Sequence, residues 1–129
     1  MGKEKILTQN MKTFSEILQN AAKHVQEVDV FQLKELLENG HNFHLVDIRE
    51  DREWVNGKIK TAVHLGRGII ERDIEGNFSN RDDEIILYCA GGVRSILAAK
   101  SLQDMGYKKV FSLKGGIGEW QTTGFDIEE

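Results

Sequence analysis

Hydrophobic and polar positions along the chain follow helical spacing in some stretches and strand-like runs in others. Apolar residues at helical spacing predict an amphipathic helix over about residues 9 to 25. A second helix is predicted over 30–39, with Asp29 as its N-cap and Gly40 just past its end. The apolar run 43–48 then predicts a buried strand.

The rest of the chain continues the alternation. A helical turn is predicted over 51–56, a short strand over 62–65, and another turn of helix over 69–73. Turn-forming residues predict a surface loop over 75–83. The pattern then predicts, in this order, a central strand over 84–88, a helix over 95–105, a strand over 109–112 and a last short helix over 117–123. This alternation indicates an α/β fold with a mainly parallel central sheet flanked by helices.

Composition narrows the class of protein. A chain of 129 residues with 40% hydrophobic content can bury one core without disulfides or a structural metal. The net charge of −4 argues against a nucleic-acid partner, and no apolar run approaches the roughly 20 residues of a membrane span. The polar start lacks a signal-peptide core and the single cysteine cannot form an internal disulfide, so a cytoplasmic protein is expected. The histidines are scattered, and neither a metal site nor a cofactor is expected.

The chemically distinctive segment follows the central strand directly. It consists of Cys89, Ala90, Gly91, Gly92, Val93, Arg94 and Ser95. Its two glycines can take positive φ, so that successive N–H groups converge on the sulfur, and the positive end of the next helix faces it. Such a site stabilises a thiolate and predicts a nucleophilic cysteine, although an inert buried cysteine is the alternative. The guanidinium of Arg94 either points into the site or braces the loop. The hydroxyl of Ser95 either donates to the thiolate or caps the helix.

Cys89, Gly92, Arg94 and Ser95 together resemble the active-site loop of the rhodanese-homology family. Residues 46–50, 53–62 and 113–124 resemble three further family segments in the expected order, so the match runs from about 28 to 127. One departure is the stretch 58–61, Lys-Ile-Lys-Thr, where family members usually carry His-Ile-Pro-Gly. The resemblance implies a rhodanese-like three-layer domain over 26–129, preceded by an extra amino-terminal helical extension over 1–25.

The resemblance also implies a sulfurtransferase. In that scheme the Cys89 thiolate takes the outer sulfur of thiosulfate or of a small or protein persulfide, and passes it to an external thiol or to cyanide. The N–H groups of Ala90 to Ser95 would bind the anionic sulfur, and Arg67 could reach the site as a substrate-binding cation. Asp47 and Arg49 are expected to form an ion pair that supports the surrounding loops.

Two other functions are weighed against this one. Cysteine phosphatases and arsenate reductases are the first alternative, but phosphatases place five residues between cysteine and arginine, whereas four intervene here. The shorter loop suits a single sulfur atom better than a phosphoryl group, and nothing places a general acid near Cys89. The second alternative is a non-catalytic binding or regulatory module with the same fold.

Overall fold

A computed structural model describes residues 11–129 of the chain. The sequence expectations that fall on residues 1–10 therefore lie outside the described part. The elements follow one another as α1 (Phe14–Ala22), β1 (Gln26–Val28), α2 (Val30–Glu38), β2 (His44–Asp47), α3 (Asp51–Trp54), β3 (Val63–His64), α4 (Ile70–Asn77), β4 (Glu84–Tyr88), α5 (Arg94–Asp104), β5 (Lys109–Leu113) and α6 (Gly116–Thr122).

The five strands form one parallel sheet in the order β1-β5-β4-β2-β3. Strand β4 lies at the centre, with Tyr88 opposite Asp47 of β2 and Leu87 opposite Ser112 of β5. Because all strands run the same way, their carboxyl ends meet at one edge, which is where open parallel sheets bind ligands. The predicted α/β fold with a parallel sheet is confirmed.

Helices cover both faces of the sheet and enclose two apolar clusters. One cluster lies under α4 and α5 and includes Ile70, Ile74 and Leu102. The other lies under α2 and α6 and includes Leu33 and Trp120. Helix α1 packs on α5, outside the first of these layers. None of the helices described is both long and apolar enough to cross a membrane.

The amino-terminal helix is shorter than its apolar pattern predicts. Thr13 caps α1 through a capping box with Glu16, and the helix ends at Ala22 instead of continuing to 25. The following strand, β1, was missed because Gln26–Val28 contains one apolar residue and joins the sheet through its backbone, pairing with β5. The division of the chain near residue 26 stays a prediction.

One further difference concerns a loop. Helix α4 continues to Asn77, so Glu75, Gly76 and Asn77 are helical and the predicted surface loop begins later. Burial of Ile74 holds this last part of the helix against the core. In the stretch that departs from the family pattern, Ile59 is buried and its N–H donates to the Tyr88 hydroxyl at 3.1 Å.

Candidate active site

Cys89 lies at the carboxyl end of the central strand, and its residue is 1% exposed. Its sulfur accepts a hydrogen bond from the Gly92 N–H at 3.2 Å, and the Ser95 hydroxyl oxygen lies 3.5 Å away. Several backbone N–H groups of the loop were expected to surround the sulfur, and among the described contacts the N–H of Gly92 does so. The arrangement offers two hydrogen-bond donors to a charged sulfur.

A glycine at position 92 is required by the path of the loop. Its φ is +92°, and a side-chain carbon there would lie 2.9 Å from the Gly115 nitrogen and 3.2 Å from the Leu113 carbonyl oxygen. The segment from Cys89 to Ser95, called the cysteine loop below, therefore passes directly against the backbone that follows β5. Because the φ is positive and the space is filled, another residue would shift the N–H that donates to Cys89.

The start of α6 holds the cysteine loop from behind. The Ile117 N–H donates to the Cys89 carbonyl and the Gly118 N–H to the Ala90 carbonyl, both at 2.9 Å. Gly116, with φ +59°, has no room for a side chain, because its β-carbon would overlap these same two carbonyl oxygens. This contact between Gly116 and the cysteine loop was not predicted from the sequence.

The Ser95 side chain faces the sulfur and the sheet. Ser95 is fully buried, and its hydroxyl lies 2.7 Å from the hydroxyl of Ser112, which is also fully buried on β5. No side chain caps the start of α5, so the hydroxyl does not take the capping alternative. Sequence reasoning treated Ser112 as an ordinary strand residue. The feature that could have identified Ser112 is a polar side chain in a strand that is flanked by a strand on each side.

Arg94 braces the loop. Its two terminal nitrogens each lie 3.2 Å from a carboxylate oxygen of Glu53 on α3. The hydrogen bond from Arg94 lowers the pKa of Glu53, more than burial raises it. The same hydrogen bond raises the pKa of Arg94, to which the charge of Cys89 also contributes. The guanidinium is thus bound to a carboxylate and close enough to Cys89 to interact with its charge.

Asp47 and Arg49 form a buried ion pair beside the site. The guanidinium contacts both Asp47 oxygens at 2.7–3.1 Å and donates to the Gly57 carbonyl at 2.6 Å. Burial works to lower the pKa of Arg49, but the hydrogen bond and charge of Asp47 raise it overall. Burial, followed by the charge of Asp47, raises the pKa of Tyr88 well above its usual range. The pair ties the end of β2 to the turn after α3.

Arg67 stands apart from these contacts. Its guanidinium bonds to Glu71 at 2.9 Å and approaches the Ser101 hydroxyl at 3.5 Å. Arg67 and Arg49 line a cavity of about 640 Å³ at the carboxyl ends of β2 and β3. Cys89 is not among the residues that line this cavity. A substrate-binding role for Arg67 stays a prediction.

The mouth of the cysteine loop carries no charge of its own. Ala90, Gly91 and Val93 are exposed around the buried sulfur, and all three are uncharged. A reactant reaching Cys89 therefore meets apolar side chains and backbone first, while the nearby cation, Arg94, is already paired with Glu53.

Comparison with known proteins identifies relatives of this chain. Residues 29–123 match the sequence model of the rhodanese-like domain. A sulfurtransferase of Allochromatium vinosum is 34% identical over 103 residues, which cover 80% of this chain and 94% of that protein. Thiosulfate sulfurtransferase GlpE of Actinobacillus pleuropneumoniae is 34% identical over 107 residues, covering 79% and 92%.

One solved structure has nearly the same extent. It is a protein of unknown function from Rhodopseudomonas palustris, described as a possible tyrosine phosphatase. The two share 34% sequence identity and a TM-score of 0.86, with 92% of this chain and 96% of that chain covered.

Proposed function

Because the chain belongs to the rhodanese-like domain family, we propose that it is a sulfurtransferase that carries sulfane sulfur on Cys89 as a persulfide. The Cys89 thiolate attacks the outer sulfur of a donor; with thiosulfate, the S–S bond breaks and sulfite leaves with its electron pair. An acceptor then attacks the terminal sulfur of the persulfide. A thiol leaves as its persulfide and cyanide leaves as thiocyanate, and in both cases Cys89 returns as the thiolate.

The hydrogen bonding of the Cys89 sulfur carries this proposal. The Gly92 N–H and the Ser95 hydroxyl both lie within contact of Sγ, so a negative sulfur has donors already in place. These donors are fixed by the loop before any reactant arrives, and little reorganisation is needed as charge moves between the attacking and the leaving sulfur. The N–H groups from Ala90 to Ser95 are proposed to bind the terminal persulfide sulfur.

The position of Arg94 favours sulfur transfer over phosphoryl transfer. A phosphatase needs a guanidinium aimed at the phosphoryl oxygens, whereas here both terminal nitrogens of Arg94 bind Glu53. The loop is also one residue shorter than that of the cysteine phosphatases. The phosphatase alternative keeps one supporting observation, the description of the Rhodopseudomonas palustris relative, and it is therefore included in the test.

The uncharged mouth of the loop favours a persulfide donor. Thiosulfate is a dianion, and Ala90, Gly91 and Val93 give it no cation at the entrance. A protein or low-molecular-weight persulfide reaches the sulfur without that requirement. With Cys89 as the only cysteine, the acceptor is an external thiol, and we expect the cycle to run in the reducing cytoplasm. Saturation by thiosulfate at low micromolar concentration would contradict this preference.

The deciding experiment is the intact mass of the purified protein after treatment with thiosulfate or a small persulfide. We expect a gain of one sulfur atom that is removed by cyanide or a reducing thiol. Cys89→Ser changes little volume and should leave the fold intact while abolishing the gain. Hydrolysis of p-nitrophenyl phosphate by the wild-type protein but not by Cys89→Ser, with no sulfur gain, would favour the phosphatase. The absence of both activities would favour the binding module.

A further inference from the structure

We propose that Ser112 is a positioning residue for Cys89, acting through Ser95. In this arrangement the Ser112 hydroxyl donates to the Ser95 oxygen, and the Ser95 hydroxyl consequently donates to the Cys89 sulfur. The consequence for sulfur transfer rests on the function proposed above. The orientation of the two hydroxyls does not, because it acts on the thiol before any sulfur is bound.

The direction of these two hydrogen bonds follows from counting the hydroxyl hydrogens of Ser95 and Ser112 and the acceptors available to them. Ser112 and Ser95 lie 2.7 Å apart through their hydroxyl oxygens, and Ser95 is 3.5 Å from the Cys89 sulfur. Among the described residues, the side-chain oxygen of Ser112 has no other hydrogen-bond partner than Ser95. If Ser95 donated to Ser112, the Ser112 hydrogen would have no acceptor. If Ser112 donates to Ser95, both hydroxyl hydrogens have one, and the second is the sulfur.

Burial makes an unpaired hydrogen costly at this place. Ser95 and Ser112 are 0% exposed and Cys89 is 1% exposed. Solvent therefore does not offer either hydroxyl a substitute partner in the fold, and a buried hydroxyl without an acceptor is strongly disfavoured. Ser112, Ser95 and Cys89 thus form a hydrogen-bonded row, in which the direction of the Ser112–Ser95 hydrogen bond fixes the direction of the hydrogen bond between Ser95 and the sulfur.

The position of Ser112 in the sheet sets it apart from its neighbours. Strand β5 lies between β1 and β4, and Val110, which shares the face of Ser112, belongs to the apolar core. An apolar residue would fill such a position at lower cost, because a buried hydroxyl must be satisfied. The hydroxyl at 112 lies under the first turn of α5, and its hydrogen-bond partner among the described residues is Ser95.

The row has a defined effect on the sulfur. With the Gly92 N–H and the Ser95 hydroxyl both donating, the Cys89 sulfur is best satisfied when it carries no hydrogen of its own. This favours the thiolate as the attacking group and also as the leaving group when an acceptor takes the outer sulfur. The surrounding charged pair, Arg94 with Glu53, contributes separately and is left intact by the changes below.

The test is the rate of Cys89 alkylation by iodoacetamide as a function of pH, in Ser112→Ala, Ser95→Ala and the double variant. We expect Ser95→Ala, which removes the donor itself, to react roughly threefold to tenfold more slowly on the rising part of the profile, the range of one lost hydrogen bond. Ser112→Ala keeps that donor but removes the bond that orients and polarises it, so we expect its reaction to slow by a smaller factor, about twofold. The midpoint of the profile should move to higher pH. In the Ser95→Ala background, removal of Ser112 should have no further effect, because Ser112 acts through Ser95.

Two controls separate positioning from packing. Val110→Ala removes apolar volume from the same face of β5 and should leave the pH profile in place, while Ser112→Thr keeps a hydroxyl and should restore the wild-type profile. Thermal melting checks that each variant is folded. An unchanged profile in Ser112→Ala, or full additivity in the double variant, would overturn the proposal. Since alkylation needs no sulfur donor, this result is independent of whether the protein forms a persulfide.

Discussion

Replacing Glu53 by glutamine removes the charge that holds Arg94 and leaves the rest of α3 nearly unchanged. Glu53 also accepts a hydrogen bond from the Glu50 N–H at 2.8 Å, and the glutamine amide oxygen can keep that contact. The side chains of Arg94 and Glu53 are 35% and 26% exposed, so the ion pair is partly screened by solvent. For a bidentate pair of this exposure we expect a contribution of about 1 kcal/mol to the free energy of unfolding.

This magnitude corresponds to a fall in Tm of about 3–5 °C for a domain of this length. The pH dependence has a definite sign. Folding lowers the pKa of Glu53 below its ordinary 4.5, so its stabilisation is present above that pH and is lost as the pH falls through the lower, folded-state value. The difference between wild type and Glu53→Gln should therefore be largest near neutral pH and shrink in acid.

The assay is urea unfolding at neutral pH and at successively lower pH, in parallel with Cys89 alkylation in the presence of phosphate. Arg94, once released, can bind an anion at the loop, so phosphate should protect Cys89 in the variant more than in wild type. Glu75→Gln, which breaks an exposed pair with Arg81 away from the site, is the matched control and should not change protection. Equal stability differences at all pH values, together with unchanged protection, would refute this account of the pair.

Three shorter predictions follow from the contacts around the site. Gly116→Ala forces a side chain against the Ala90 carbonyl, and we expect a loss of at least about 2 kcal/mol in urea unfolding together with slower alkylation of Cys89. Arg49→Met leaves the buried Asp47 charge unpaired and should destabilise the fold by about 3–5 kcal/mol, measured in the same way. Arg67→Ala should raise the KM for thiosulfate about two- to threefold at low salt, with kcat unchanged, and the effect should vanish at high salt.

The elements that the sequence predicts well are those with a local cause. Helix α2 begins after Asp29 because that side chain and Gln32 satisfy each other's backbone N–H groups at 2.8 Å. Strand β4 is apolar from Ile85 onward because both of its faces are covered, and its length and the following glycines distinguish it from a helix. Cys89 at its end follows directly from these two features.

What the sequence missed depends on contacts between distant segments. Strand β1 exists because β5 offers a free edge, and its own composition gives no strand pattern. Arg94 pairs with Glu53, which lies 41 residues earlier in the sequence. No local pattern could therefore show whether the Arg94 guanidinium points into the site or braces the loop. Ser112 could be recognised as buried only once β5 was known to have a strand on either side.

The proposed function makes two demands on the site, a fixed position for Cys89 and stabilisation of a charged sulfur, and different contacts meet them. The backbone of Cys89 is held by hydrogen bonds from α6, while the Gly92 N–H and the Ser95 hydroxyl contact the sulfur and can stabilise its charge. None of these contacts involves the side chains of Ala90 and Val93, which are exposed. Under the proposed function, we therefore expect selection of the donor to depend on the surface that a reactant presents to the loop. Changes at Val93 should accordingly alter kcat/KM among donors while leaving the discharge of an already formed persulfide to cyanide unchanged. A discharge rate that fell in parallel with kcat/KM would place Val93 within the sulfur chemistry itself.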